Sequence, residues 1–212
     1  MAFNNLQSRP TAGFTLIELL AVTGIMVVIT SVVLVNNGRF GGVIQLQNLA
    51  YDVALSIRQA QVYGISVARF GEDNFSTGYG VHFDTSNPDT YALFADALTV
   101  NGLYDCPNPG TDTCELMQTT NITRGFSIQD LCGTPPGGTT CDAKSNIDIV
   151  FIRPEPDAWI SARINVSDPA CIPNQGGTCY ENAHIILKSP RGDIMSVVVE
   201  ANGQISVQRG EQ

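Results

Sequence analysis

The hydrophobic pattern of this chain changes period twice. Residues 13–35, GFTLIELLAVTGIMVVITSVVLV, hold an apolar run from Phe14 to Val35 with one charge, Glu18, near its start. As a helix the 22-residue run measures roughly 33 Å, enough to cross a bilayer core. A glycine-rich joint follows, Gly38-Arg39-Phe40-Gly41-Gly42. It reads either as a linker or as a hinge within one long helix, and interior glycines predict local weakness in both cases. Beyond it, Leu46, Leu49, Val53, Ile57 and Ala60 recur at helical spacing, with Asp52, Ser56 and Gln59 on another face. This predicts an amphipathic helix that lays its apolar stripe on a sheet.

From Phe70 onward the period falls to two. Residues 78–84 and 90–96 predict short strands around the turn former Ser86-Asn87-Pro88-Asp89. Further strands are expected at 119–131, at 146–156 up to Pro154 and Pro156, and at 157–166. In the last of these, Trp159, Ser161, Arg163 and Asn165 alternate with Ile160, Ala162, Ile164 and Val166. Residues 182–190 and 193–208 complete the series, with Asn202-Gly203 as a type I′ hairpin turn. The fold class is α+β: one long N-terminal helix, then an antiparallel β-rich domain.

Glu18 changes the reading of the apolar run. A carboxylate inside a membrane span costs roughly 2.5–3.5 kcal/mol on insertion scales, and a plain anchor gains nothing from it. Such a group is a functional candidate with an expected partner. The leader Met1–Gly13 (MAFNNLQSRPTAG) is short and polar, with Arg9 its one charge. A secretory signal would place a shorter apolar stretch before a small-residue cut site. Here the small residue, Gly13, comes first.

The stretch Gly13-Phe14-Thr15-Leu16-Ile17-Glu18 resembles the N-terminus of type IV prepilins and type II secretion pseudopilins, with their class III leader. The resemblance implies cleavage between Gly13 and Phe14 by a prepilin peptidase, and N-methylation of Phe14. It implies that Glu18 pairs with the N-terminal amine of a neighbouring subunit during assembly. More diffusely, AYDVALSIRQAQVYGISVA, GYGVHFD, IRPEPDAWI and SPRGDIMSVVVEANGQISV are similar to the FimT-like and H-type minor pseudopilin group. That similarity implies a pilin-like fold in three parts. Residues 1–13 are a cleaved leader, 14–67 a long helix whose 14–35 portion is membrane span and filament core, and 68–212 an extracytoplasmic β-rich domain.

Composition agrees with export. Of 212 residues, 20 are acidic and 11 basic, and removal of Arg9 with the leader leaves ten basic against twenty acidic, a net charge of −10. Such a charge opposes non-specific attraction to nucleic acid. The tail Gln208-Arg209-Gly210-Glu211-Gln212 carries one basic and one acidic residue, so it departs from the basic C-terminal region of FimT-like pilins that take up DNA. Arg9 and Arg39 flank the apolar run symmetrically and leave positive-inside counting silent. The orientation, with the domain outside an inner membrane, therefore comes from the resemblance.

The six cysteines form close pairs: Cys106/Cys114, Cys132/Cys141 and Cys171/Cys179. Six cysteines allow fifteen pairings. Short loops close readily, so three local bridges are the first expectation, each worth roughly 2.5 kcal/mol in the loop-entropy model. The close C-x2-C-like spacing of zinc sites is absent, and an oxidising compartment fits better. The acid-rich stretch Asp96, Asn101, Asp105, Asp112 and Glu115 offers oxygen ligands of the kind calcium takes, with Asp96, Asn101 and Asp105 as its candidates. The EF-hand spacing is missing, and a solvated turn is the plainer reading. Asn74, Asn121 and Asn165 stand in glycosylation sequons.

No nucleophile elbow, zincin motif or phosphate loop appears. His82 and Asp84 share a strand face and His184 lies on another strand, a combination that chance supplies readily. No enzyme activity, cofactor or metal is expected. The sequence points instead to a structural filament subunit whose partners are sibling pilins, the peptidase and an inner-membrane assembly platform. A filament-tip adhesin or DNA-uptake minor pilin is the alternative.

Overall fold

The structure, a computed structural model, describes residues 13–66, 77–107, 114–165, 168–172 and 178–210, and within the first of these it leaves aside the side chains of 35–40. Expectations that fall on 1–12, on Phe70 and Asn74, on Asp112 and on Val166 lie outside the described residues. Among the described residues one helix, α1 (Leu16–Ile65), precedes ten strands. The chain divides into two compact units, Met1–Gly41 and Gly42–Gln212. The backbone is helical through the glycine-rich joint, and the division falls at Gly41–Gly42.

In the first unit Thr15 caps the helix. The backbone N–H of Glu18 donates to Thr15 Oγ1 at 3.3 Å, and the Thr15 hydroxyl donates to Glu18 Oε2 at 3.5 Å. Thr15-Leu16-Ile17-Glu18 is thus a capping-box sequence. Leu16–Leu34 is long and apolar enough to cross a membrane, and none of it is buried within the protein. Thr23, Thr30 and Ser31 turn their hydroxyls onto carbonyls three or four residues back, at 2.7–3.1 Å. Their polar groups are therefore satisfied without water, as lipid requires.

The second unit holds two antiparallel sheets. The strands of the first are β1 (Gly78–Asp84), β2 (Thr90–Asp96), β3 (Leu116–Asn121), β6 (Asn146–Phe151) and β7 (Ala158–Arg163). Those of the second are β4 (Ser127–Thr134), β5 (Asp142–Lys144), β8 (Asn182–Lys188), β9 (Ile194–Glu200) and β10 (Ile205–Arg209). Their orders are β3-β2-β1-β6-β7 and β10-β9-β8-β4-β5. A single core joins them to the helix. Leu46, Ala50, Val53, Ile57 and Ala60 are fully buried against Val81, Phe83, Ile149 and Phe151 of one sheet and Ile185, Leu187, Val197 and Val199 of the other.

The buried stripe runs 46, 50, 53, 57, 60, at spacings of four and three, and Leu49 stands beside it, only partly buried. This corrects the expected stripe. Small side chains at Ala50 and Ala60 let the helix approach closely, and the same holds at Gly64, where an added Cβ would strike the carbonyl oxygen of Phe151. Hydrophobic periodicity favours leucine over alanine, whereas close packing favours the smaller residue. Gln61, buried beside the stripe, donates through Nε2 to the carbonyls of Pro156 (2.9 Å) and Gly203 (3.1 Å).

Two turns differ from expectation. Residues 119–131 are not one strand, because Arg124 (φ 65°) and Gly125 (φ 73°) reverse the chain between β3 and β4. Positive φ at both central residues is what a type I′ turn requires, and Phe126 N–H donates back to Thr123 O at 3.4 Å. Asn202-Gly203, by contrast, is not type I′: Gly203 alone has positive φ, 81°. Gly203 N–H donates to Glu200 O and Glu200 N–H to Gln204 O, a three-residue loop closed by a left-handed glycine. The short strand β5, which begins directly after Cys141 closes the second cysteine loop, was not expected.

Two substitutions test this packing in urea unfolding of Gly42–Gln212. Gly64→Ala, stabilising in an ordinary helix, is expected to lower stability here by roughly 1–3 kcal/mol. Arg124→Asn relieves a left-handed backbone and is expected to raise it by about 0.5–1 kcal/mol. A stabilising Gly64→Ala would contradict the close helix–sheet approach.

Candidate functional site

Sheet geometry sorts the polar residues. Each strand of the first sheet alternates, so Val81, Phe83, Leu93, Ile147, Ile149 and Ile160 turn to the core. The opposite face carries Phe94, Asp96, His82, Asp148, Ser161 and Arg163. His82, Asp148 and Ser161 are directly opposite one another on β1, β6 and β7.

Asp148 is fully buried and sits at the centre of this face. Its Oδ1 lies 2.7 Å from His82 Nδ1 and accepts the Tyr104 N–H at 3.3 Å, while Oδ2 accepts from Arg163 at 3.2 Å. The Tyr104 ring lies 4.9 Å from His82 and 5.4 Å from Phe94. Ser161 Oγ donates to Gly102 O (3.4 Å) and accepts the Cys171 N–H (2.8 Å). The serine is thus engaged by backbone and separated from His82 by Asp148. A hydrolytic triad needs the histidine between acid and nucleophile. Here the acid is in the middle, an order suited to holding loops and not to activating a hydroxyl. Asp84 shares the strand face of His82, as expected, but its hydrogen bonds are to the following turn: it accepts from Ser86 N–H (2.8 Å) and Asn87 Nδ2 (3.1 Å). Burial opposes its charge, but these hydrogen bonds, led by that of the Ser86 side chain, hold Asp84 below the ordinary aspartate value.

The acid-rich stretch is the second part of the site. Asp96 and Glu115 are both fully buried, which overturns the reading of a solvated turn. Glu115 Oε1 accepts the N–H groups of Ala97 (3.0 Å), Leu98 (2.9 Å) and Thr99 (3.4 Å), and Oε2 that of Asp105 (3.1 Å). Asp96 accepts from Asn101 (3.1 Å) and Gly102 (3.0 Å). Asn101 Nδ2 donates to Asp105 Oδ2 at 2.8 Å. The two buried carboxylates thus satisfy backbone amides of a loop that has no secondary structure of its own. These residues were the calcium candidates, and their oxygens are occupied by the loop itself.

Burial pushes Asp96 up to about 6 from 3.8, against the pull of its two amides, with Glu115 and Asp105 adding repulsion. Burial likewise raises Glu115, against four amide hydrogen bonds.

The cysteines pair locally: Cys106–Cys114, Cys132–Cys141 and Cys171–Cys179. The first and third flank the polar face just described. The second lies on the other sheet, where Cys132 on β4 pairs across to His184 on β8. Burial lowers His184 below the usual histidine value, with Glu200 pulling it back. His82 and His184 are on different sheets and do not share a site.

Gly13, Phe14 and Glu18 lie at the start of the first unit, and Phe14 is 84% exposed. The capping box and the helix dipole both favour a carboxylate in the first turn. These local terms are smaller than the cost of carrying that charge into a bilayer. Sequence reasoning missed Asp148, Ser161 and Arg163 as a group. Their signal was present, since Asp148 interrupts the β-branched run NIDIVF and Ser161 and Arg163 repeat at period two. Searches against family models, curated proteins and solved structures found no match to this chain.

The raised Asp96 value fixes a sign. The folded state holds this proton more tightly than the unfolded chain, so its contribution is complete below about pH 3.8 and fades as pH rises through about 6. The stability of wild type relative to Asp96→Asn should therefore fall between these two values, by on the order of 3 kcal/mol at most. Denaturant titrations across that window measure it, and a pH-independent difference would mean that Asp96 is not a tightly held acid.

Proposed function

We propose that this chain is a structural subunit, pilin or minor pseudopilin, of a type IV pilus or type II secretion-like filament. The observation that carries this reading is the composition of α1. Its first part is a bilayer-length segment in which every described hydroxyl is self-satisfied and the single ionisable group, Glu18, sits in the opening turn. Its last part is built into the domain core through Leu46, Ala50, Val53, Ile57 and Ala60. One helix therefore presents an unburied apolar surface at one end and a folded domain at the other. That division suits a subunit held in a membrane before assembly and in a helical filament core afterwards.

In this mechanism the peptidase cuts the Gly13–Phe14 bond and methylates Phe14. Extraction from the membrane removes the lipid around the apolar segment, and helices of sibling subunits replace it. Glu18 meets the amine of a neighbouring Phe14, which fixes the axial register of the helices. The charge that is costly in lipid becomes half of an ion pair in the assembled state. The buried polar face of the first sheet is compatible with this role: its side chains hydrogen-bond the chain leading into the first and third bridges, at residues 97–105 and at Cys171.

The test is Glu18→Val, expressed together with the peptidase and assembly machinery. The variant is expected to insert and to be processed as wild type, yet to be lost from sheared filaments. Filament incorporation at the wild-type level would refute the register mechanism, and a wild-type N-terminus other than methylated Phe14 would refute the processing step.

A further inference from the structure

The outer face of the second sheet carries a group of ligands that the filament reading leaves unused. Cys132 on β4 is flanked by His184 on β8 and by Ala143 on β5. Cys141 reaches back to it through the bridge. Cys132 Sγ, Cys141 Sγ and a ring nitrogen of His184 all lie within 4.8 Å of one another. Among the described residues, no third histidine, cysteine or carboxylate stands so close to either of the other two bridges. Cys141 is also the one cysteine of the six in the exposed class.

A tetrahedral zinc ion, with bonds of roughly 2.3 Å to sulfur and 2.0 Å to nitrogen, spaces its ligand atoms about 3.5–3.8 Å apart. The His184 nitrogen already lies within 4.8 Å of both sulfurs, so closing on an ion needs a shift of about an ångström there, while the two sulfurs must separate. Opening it requires rotation of Cys141 on an exposed loop, while Cys132 and His184 stay fixed by neighbouring strands. Beside His184 lies a trough of about 560 Å³, lined by Asp130, Ser196, Gln208 and Arg209 among others. Neither cysteine lines it, but it gives solvent a path to His184.

We propose that Cys132, Cys141 and His184 form a redox-gated site for a soft divalent cation of the zinc type, closed in the disulfide state and open in the dithiol state. Opening needs a two-electron thiol reductant. Its dithiol exchanges with the bridge, leaves as a disulfide, and returns both electrons and both protons to Cys132 and Cys141. The cation then displaces the two thiol protons and binds two thiolates and the neutral imidazole. A disulfide oxidant reverses the exchange: it takes the two electrons, leaves as a dithiol, restores the Cys132–Cys141 bridge and so expels the ion. The sequence spacing gave no hint of this, because the third ligand comes from a strand paired only through the fold.

The experiment uses the full chain in detergent micelles, reduced anaerobically with a dithiol that is then removed by desalting. Cobalt(II) is the spectroscopic probe and zinc its competitor. Reduced wild type should bind one cobalt with thiolate charge-transfer and tetrahedral bands, and oxidised wild type should bind none. His184→Gln, a change on a half-buried outer position, should weaken binding about tenfold or more, the scale on which ligand-shell changes act. A second readout needs no variant. Zinc should slow alkylation of Cys132 and Cys141, read by mass spectrometry, and leave the other four cysteines unprotected. Equal cobalt affinity in His184→Gln, persistence of the charge-transfer band in the C132S/C141S double variant, or protection spread evenly over all six cysteines would each overturn the proposal. So would loss of the near-UV dichroism on reduction that zinc fails to restore.

Discussion

The domain depends on how closely the second half of α1 approaches two sheets at once. Alanine and glycine at positions 50, 60 and 64 set that distance, and the larger Leu46, Val53 and Ile57 fill the space between the sheets. Because interiors pack at near-crystalline density, such a contact fixes both the helix rotation and the sheet separation. Gln61 then ties the helix to Pro156 and to the β9–β10 turn at the one point where a polar group is buried beside the stripe. The turn at Asn202-Gly203 takes its form from this contact as much as from its own sequence, since a side chain at 203 would collide with Pro156.

The reverse face of the first sheet solves a different problem with charge. Loops 97–107 and 168–172 leave apolar side chains such as Leu98 and Val100 exposed and are held largely by hydrogen bonds to buried carboxylates and to Ser161. Charge-assisted hydrogen bonds contribute more than neutral ones, and an unsatisfied buried amide is costly. Asp96 and Glu115 have only backbone amides as hydrogen-bond partners among the described residues, and burial raises their pKa values against the pull of those amides. Asp148 has His82 and Arg163. Asp148 therefore has a cationic side chain, Arg163, as a partner, and Asp96 and Glu115 have none.

Much of this was legible in the sequence, for physical reasons that can be stated. Strands β1 and β2 follow from strict period-two alternation around a strong turn, and their observed bounds are 78–84 and 90–96. The local cysteine pairs follow from loop closure. The break between β3 and β4 was hidden because it rests on Arg124 adopting a left-handed conformation that arginine rarely takes. Leu49 displaced Ala50 in the expected stripe because hydrophobicity does not register the value of a small side chain at a tight contact. The buried acids looked solvated because composition records charge and not the amides that surround it. His184 beside Cys132 was invisible for a simpler reason: register between β4 and β8 is a property of the fold alone.

The bridges, finally, are spaced along the chain by eight, nine and eight residues and never interleave. If the domain emerges in N-to-C order, each cysteine meets its correct partner before the next pair arrives. Pairing then follows from order of emergence, and no isomerase need choose among the alternatives. The crosslinks also enclose only their own loops, so the topology of the two sheets is the same whether they close before folding or after it.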